Sequence, residues 1–337
     1  MIYRFQAEVL TPLVIAGADP KSPKVIAEGL RPPSLRGAMR WWFRAMMGGI
    51  VGADNNYKTL RDLEGEAFGS TTASAAWQVR TRPSSAVTPQ TAHLRMNDPT
   101  PIHKGKRTLR PARDAIGPGV KFKVELSFAR ADAVPLVLPS LWLFSMLGGL
   151  GNRARRGFGS LTLAPVDEQT KQAAQELSLD FSYPATSLAN IAMHLGNTLT
   201  KIHGYFSSYT TVKGSLPPAE FFTLSRSRAK LYLLKPLSKS WSTWNEAMDD
   251  LRCDVYRSFK GNLSSIGLAV GQKRLASPLL IQIKRSAQKE YFGVLLAGQY
   301  SNPHLNIEKS YFGQGWAELD DFLNWLASYE HQEVTLP

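Results

Sequence analysis

Arg36, Arg40 and Arg44 recur at every fourth position, and no acidic residue occurs between Gly29 and Ala53. On a helix this spacing stacks three guanidinium groups on one face, where each like-charged i, i+4 pair costs about 0.2–0.5 kcal/mol. A bound anion relieves that repulsion, and a phosphate matches the arginine fork. The same row also suits a solvated helix face. Trp41 lies off the apolar positions and either stacks on a base or completes the core. A second concentration is Gly148-Gly149-Leu150-Gly151-Asn152-Arg153-Ala154-Arg155-Arg156-Gly157-Phe158-Gly159, with no acid from Ala133 to Val166. Glycines bring main-chain N–H groups close to phosphates, and arginines add bidentate contacts. The third is the proline-rich stretch 80–118, with Arg80, Arg82, Arg95, Lys104, Lys106, Arg107, Arg110 and Arg113 against Asp98 and Asp114 alone. It is long for a connection between strands and has the make-up of a flexible basic arm that orders on RNA.

Known phosphate motifs delimit these readings. Gly149-x-Gly151-x-x-Ala154 fits the relaxed dinucleotide fingerprint, but that motif needs a strand before it and a helix after it. Here the order is reversed, so a dinucleotide site is excluded, and no GxxxxGK[ST] is present. Arg156-Gly157-Phe158-Gly159 matches the first four positions of the RNP1 signature. Ser160 and Leu163 then replace the large or aromatic residues of a stacking platform. A tight helix-to-strand turn accounts for the glycines but not for the arginines.

Signals for catalysis are sparse. The six histidines (93, 103, 194, 203, 304 and 331) show no HExxH or paired-ligand spacing, so no metal is expected. His93 and His103 lie in the basic stretch, where a histidine either contacts RNA or acts as acid or base on a 2′-hydroxyl attacking its own phosphate. The single cysteine, Cys253, has no neighbour to depress its pKa and is expected to pack inertly.

These residues need elements to hold them. Residues 3–9 alternate as a half-buried strand. Ser34 is a plausible N-cap for a helix carrying Leu35, Ala38, Met39, Trp42, Phe43 and Met46, stopped by Gly48-Gly49. A second helical piece spans 57–68, strands 76–81 and 120–128, an apolar helix 138–147, and a strand 160–164. Setting the inserted helix aside, the order is β-α-β-β-α-β, the ferredoxin-like arrangement also used by RNA-recognition domains. The second half repeats it less clearly. A small helix at 167–177 and a longer one at 188–202 come first, then a strand at 230–234. Trp244, Met248, Leu251 and Val255 mark a helix, strands 279–284 and 291–297 a hairpin, residues 316–326 another helix and 334–336 a last strand. The expected fold is α+β, two tandem ferredoxin-like domains at 1–165 and 166–337, the first with a long basic insertion.

Composition agrees with a basic first half. The 337 residues carry 40 Lys+Arg and 27 Asp+Glu, a net charge of +13, which points to a polyanion. Residues 1–165 hold 23 basic and 11 acidic residues, +12, leaving 17 and 16, +1, for 166–337. The longest apolar stretch, near 136–150, is interrupted and too short for a membrane span. The N-terminus lacks a signal-peptide h-region, and the lone cysteine fits a reducing cytosol, so a cytoplasmic location is expected.

Thr11-Pro12-Leu13, Gly17-Ala18-Asp19 and Leu30-Arg31-Pro32-Pro33-Ser34-Leu35-Arg36-Gly37, followed by Arg40-Trp41-Trp42 and Arg44, resemble the RAMP superfamily of CRISPR proteins. Within it they resemble the family of first-numbered RAMP subunits of Cmr (type III-B) effector complexes. Phe68-Gly69-Ser70 fits the same family, and Gly151-x₅-Gly157-Phe158-Gly159 is similar to the superfamily's glycine-rich loop. Gly267-Leu268, Lys273-Arg274 and Ala276-Ser277-Pro278 look like its C-terminal domain. The resemblance implies a ribonucleoprotein subunit that contacts crRNA toward its 3′ end, target RNA and other Cmr subunits. It implies no small-molecule substrate and no slicing activity. Some RAMP relatives process crRNA with a histidine near the first helix, and 34–49 contain none. The candidate RNA contacts are Arg31, Arg36, Arg40, Trp41, Arg44, Lys104, Lys106, Arg107, Arg110, Arg113, Gly151, Arg153, Arg155, Arg156, Gly157, Phe158, Gly159, Lys273 and Arg274. No catalytic residue, metal or cofactor is expected. A metal-independent endoribonuclease and a scaffold docking on acidic proteins are the rival readings.

Overall fold

The computed structural model describes residues 1–15, 29–52, 57–87, 89–93, 112–184, 186–214, 221–258, 279–298 and 326–337. In chain order the first half contains β1 (Ile2–Val9), α1 (Pro32–Val51), α2 (Lys58–Phe68), β2 (Trp77–Pro83), β3 (Pro89–His93), β4 (Ala112–Ile116), β5 (Lys121–Phe128), α3 (Val134–Leu147) and β6 (Leu161–Pro165). The second contains α4 (Glu168–Glu176), α5 (Leu188–Ser208), β7 (Ala229–Pro236), α6 (Trp244–Ser258), β8 (Leu279–Arg285), β9 (Tyr291–Gly298) and β10 (Tyr329–Val334).

Strict alternation in β1 buries Tyr3, Phe5, Ala7 and Val9, and its partner β5 does the same with Phe122, Val124, Leu126 and Phe128. The two pair antiparallel with Phe5 opposite Val124, and β2 and β6 flank them in the order β2-β5-β1-β6. Numbered by chain position and read from β6, these strands run 4-1-3-2. The second sheet, β10-β7-β9-β8, gives 4-1-3-2 again. Both sheets are antiparallel throughout. Helix α5 packs against α1 and α3 on one side and against β7 and β10 on the other. One hydrophobic core therefore runs from Phe5 and Phe43 through Phe206 to Leu231 and Val294. Among the described residues no helix is long and apolar enough to cross a membrane.

Several elements differ from the sequence expectation. Ser34 does not cap α1. Arg31 holds the extended cap position and Pro32 takes the first turn, where its missing N–H has no partner to lose. Gly48-Gly49 do not stop this helix, which ends at Gly52 with φ 69°. They serve close approach: a Cβ on Gly48 would lie 2.9 Å from the Phe221 ring, and one on Gly49 3.3 Å from Ser225. The 80–118 stretch contains a small antiparallel pair, β3 with β4, tied to the first half by hydrogen bonds between Leu13 and Ile116. The last strand is 329–334, not 334–336. Asp167, read from the sequence as part of the small helix, instead caps it by accepting from the Thr170 N–H. Most of the expected helix at 316–326 lies outside the described residues.

Candidate nucleic-acid interface

The glycine–arginine loop leaves the end of α3 and is held on two sides. On one side the Thr11 hydroxyl donates to the Gly157 carbonyl at 2.6 Å and accepts from the Ser160 N–H at 2.9 Å. The Gly159 N–H donates to the Pro12 carbonyl and the Asn152 N–H to that of Val14. Gly151 and Gly159, at φ 86° and 65°, make this approach possible, because a Cβ there would collide with the carbonyls of Val14 and Leu150.

The other side comes from β8, the edge strand of the second sheet. Arg156 forms a parallel bridge with Ile281, the Gly157 N–H donating to the Ile281 carbonyl (2.8 Å) and the Ile281 N–H to the Arg155 carbonyl (3.0 Å). The Ser160 hydroxyl donates to Gln282 Oε1 (2.7 Å) and accepts from the Ile283 N–H (3.2 Å). Gln282 Nε2 donates to the Ala154 carbonyl. Lys284, fully buried, directs Nζ at the carbonyls of Ser145 (2.6 Å), Gly148 (2.9 Å) and Leu161 (3.1 Å). Three ammonium donors thus meet three acceptors, two of them at the negative end of the α3 dipole. Burial pulls the Lys284 pKa down from 10.5 to about 7.

The arginines ride on this fixed backbone and are all half-buried. Arg153 is left-handed (φ 59°), an uncommon state for a residue with a side chain. The Arg155 guanidinium sits 5.5 Å from the centre of the Trp41 ring, so the loop lies beside α1. Burial, and then the charge of Arg153, hold the Arg156 pKa below its usual value. Phe158 does not face an RNA surface. It is buried with Val14, Ala92, Ala115 and Met248 and anchors the loop.

The α1 row is compensated, contrary to the expectation from its own neighbourhood. Glu64, from α2, is buried against it and takes Arg40 at 2.6–2.7 Å and Arg44 at 3.1 Å. Arg36 donates to the Phe68 carbonyl and lies over the Trp77 ring at 5.2 Å. Its pKa falls through burial and the neighbouring charge of Arg40. Trp41 stacks on Phe222 with centroids 5.3 Å apart, which assigns it to packing between the halves instead of to a free base platform.

Arg31 stands half-buried at the start of α1. Arg113 and His93 belong to the β4 and β3 backbones, and Cys253 to α6. Lys104, Lys106, Arg107, Arg110, His103, Lys273 and Arg274 lie outside the described residues. Among the described residues no group of three His, Cys, Asp or Glu side chains could hold a metal ion. Sequence reasoning missed Glu64, Gln282 and Lys284. The last two carried a signal, as polar residues alternating inside the apolar run Leu279–Arg285 that must find buried partners.

Comparison with known proteins bears on the family and the fold. The family model of the RAMP superfamily matches residues 6–162. The chain is 32% identical over 186 residues to the CRISPR system Cmr subunit Cmr1-2 of Pyrococcus furiosus, covering 49% of this chain and 96% of that protein. It is 33% identical over 150 residues to Cmr1-1 of the same organism, covering 42% of each chain. In fold it resembles the apo crystal structure of Cmr1 from Pyrococcus furiosus, with TM-score 0.65, 18% identity, and 99% and 98% of the two chains covered. It also resembles a chain of the type III-B Cmr-beta cryo-EM structure bound to cognate target RNA, with TM-score 0.56, 12% identity, and 96% and 99% covered.

Proposed function

The chain belongs to the RAMP superfamily and is homologous to the Cmr1 subunits of Pyrococcus furiosus, and from that premise we propose that it is a non-catalytic, RNA-binding subunit of a type III-B CRISPR effector. In this reading it is a cytoplasmic protein that contacts crRNA toward its 3′ end, or target RNA, beside other Cmr subunits. The two sheets of matching 4-1-3-2 order are two ferredoxin-like domains, 1–165 and 166–337, with 80–118 a basic insertion in the first. The observation that carries the RNA assignment is the glycine loop. Its backbone is locked by hydrogen bonds from both halves, and Arg153, Arg155 and Arg156 are mounted along it. Fixed arginines contact a phosphodiester backbone without the entropy of ordering a flexible arm.

The test is single-stranded RNA binding against salt. Arg155→Ala/Arg156→Ala should flatten the log–log slope by about 0.7 for each phosphate that is no longer neutralised. Arg36→Ala/Arg40→Ala should change it less, because both arginines already serve Phe68 and Glu64. An unchanged affinity and slope for the loop variant would remove the loop as the RNA site. The same protein should leave the RNA intact in EDTA. Cleavage abolished by His93→Ala or His103→Ala would make it an endoribonuclease instead.

A further inference from the structure

The open face of the first sheet carries a second concentration of cations, away from the glycine loop. Arg80, Glu125 and Arg4 stand in one cross-strand row, and Arg82, Lys123 and Gln6 in the next. They line a cavity of about 410 Å³ floored by Phe5 and Val124 and walled by the exposed Val166. Glu125 is committed to Arg4 at 3.3 Å, and Arg4 also reaches Asp167 at 3.2 Å. Among the described residues no acid lies within ion-pair distance of Arg80, Arg82 or Lys123, all three exposed.

Arg82 and Lys123 face each other directly across the strands, a like-charge pairing that destabilises a sheet. Lysine and arginine on an edge strand can be explained as protection against strand addition, and β2 is an edge. Lys123 and Arg4 cannot, because β5 and β1 are the central strands. Arg80 and Arg82 are two residues apart on one face, roughly 6.6 Å along the strand, a separation suited to neighbouring phosphates of an extended chain. No aromatic ring is exposed in the cavity, and its one ring, Phe5, is buried beneath it. Stacking on bases is therefore excluded, and what the face offers is charge alone.

We infer that this sheet face is a second RNA site, separate from the glycine loop, which holds phosphates of a single strand through Arg80, Arg82 and Lys123 without reading bases. The inference rests on the RNA-binding reading above and adds a second track to it. A strand held at both places is fixed in direction as well as position.

The experiment uses the full chain and single-stranded RNAs of two unrelated sequences, titrated across salt. Arg82→Gln/Lys123→Gln should flatten the log–log slope by roughly 1.4, two phosphates at 0.7 each, equally for both sequences and with a melting temperature no lower than that of the wild type, since the variant relieves the Arg82–Lys123 repulsion. Lys171→Gln/Lys289→Gln removes the same charge from exposed positions elsewhere and should leave the slope alone. An unchanged slope in the sheet variant, while the Arg155/Arg156 variant loses affinity, overturns the sheet site and leaves the proposed function standing. An equal flattening in the charge control also overturns it. Wild-type protein that binds neither RNA at physiological salt overturns the RNA reading itself.

Discussion

Glu64→Gln is the sharpest probe of how the first helix is built. The native carboxylate, 5% exposed, accepts through Oε1 from Arg40 Nε at 2.7 Å and from Arg44 Nη1 at 3.1 Å, and Arg40 Nη2 stands 2.6 Å from the same oxygen. Glutamine keeps the shape but removes the charge and turns an amide N–H₂ toward a guanidinium. A hydrogen bond to a charged group contributes about 1.5–3 kcal/mol. Counting Arg40 once and Arg44 once gives roughly 3–6 kcal/mol. The arginine side chains are 39% and 42% exposed, so water recovers part of this, and the expected loss is about 2–4 kcal/mol. In urea the unfolding midpoint should fall by roughly 1 M at constant m. Glu66→Gln, on the exposed side of the same helix, should move it by less than about 0.2 M. RNA affinity should stay within about threefold of wild type, because the loop arginines are untouched. A midpoint within error of wild type would refute the reasoning. It would mean that the pair is a solvated surface contact and the arginine row is open to phosphate.

Two further outcomes follow from the joint between the halves. Lys284 gives up its proton near pH 7 in the folded chain and near 10.5 when unfolded. Between those values the unfolded chain binds more protons, so unfolding free energy rises with pH, by up to about 1.4 kcal/mol per unit. Denaturation midpoints measured from pH 6 to 9 should climb in wild type, and this component should vanish in Lys284→Met. Gly159→Ala forces a Cβ toward the Leu150 carbonyl at positive φ and should cost about 2–4 kcal/mol by urea denaturation. Gly37→Ala, exposed on α1 with nothing within 4 Å, should stabilise by about 0.5–1 kcal/mol in the same assay.

The strands and helices of the first half were legible because their apolar periods are local. Tyr3, Phe5, Ala7 and Val9 declare a strand without help from elsewhere. Contacts that join distant segments left weaker traces. Glu64 is 20 residues from Arg44 and nothing in the chain between them marks the pairing. Gly48-Gly49 looked like a helix stop because a glycine pair has the same composition whether it ends a helix or admits a neighbour. The loop was found through its arginines and glycines. Its other half, β8, was not, since Gln282 and Lys284 gain meaning only once Ser160 and the end of α3 lie against them. Phe158 misled for a related reason: an aromatic between glycines suits both a stacking surface and an anchor, and burial alone separates the two.

The clamp by Lys284 also sets an order of events during synthesis. The ammonium and the Ser145 carbonyl that it holds are 139 residues apart. At about 5–20 residues per second, the ribosome needs roughly 7–28 s to deliver Lys284 after Ser145. Once Pro165 has been made, the first sheet has all its strands, yet until Lys284 follows the arginine loop has only one of its two supports. A nascent first half therefore presents its charge before the loop backbone is held from both sides. The second support arrives late, when β8 at the edge of the second sheet meets the loop.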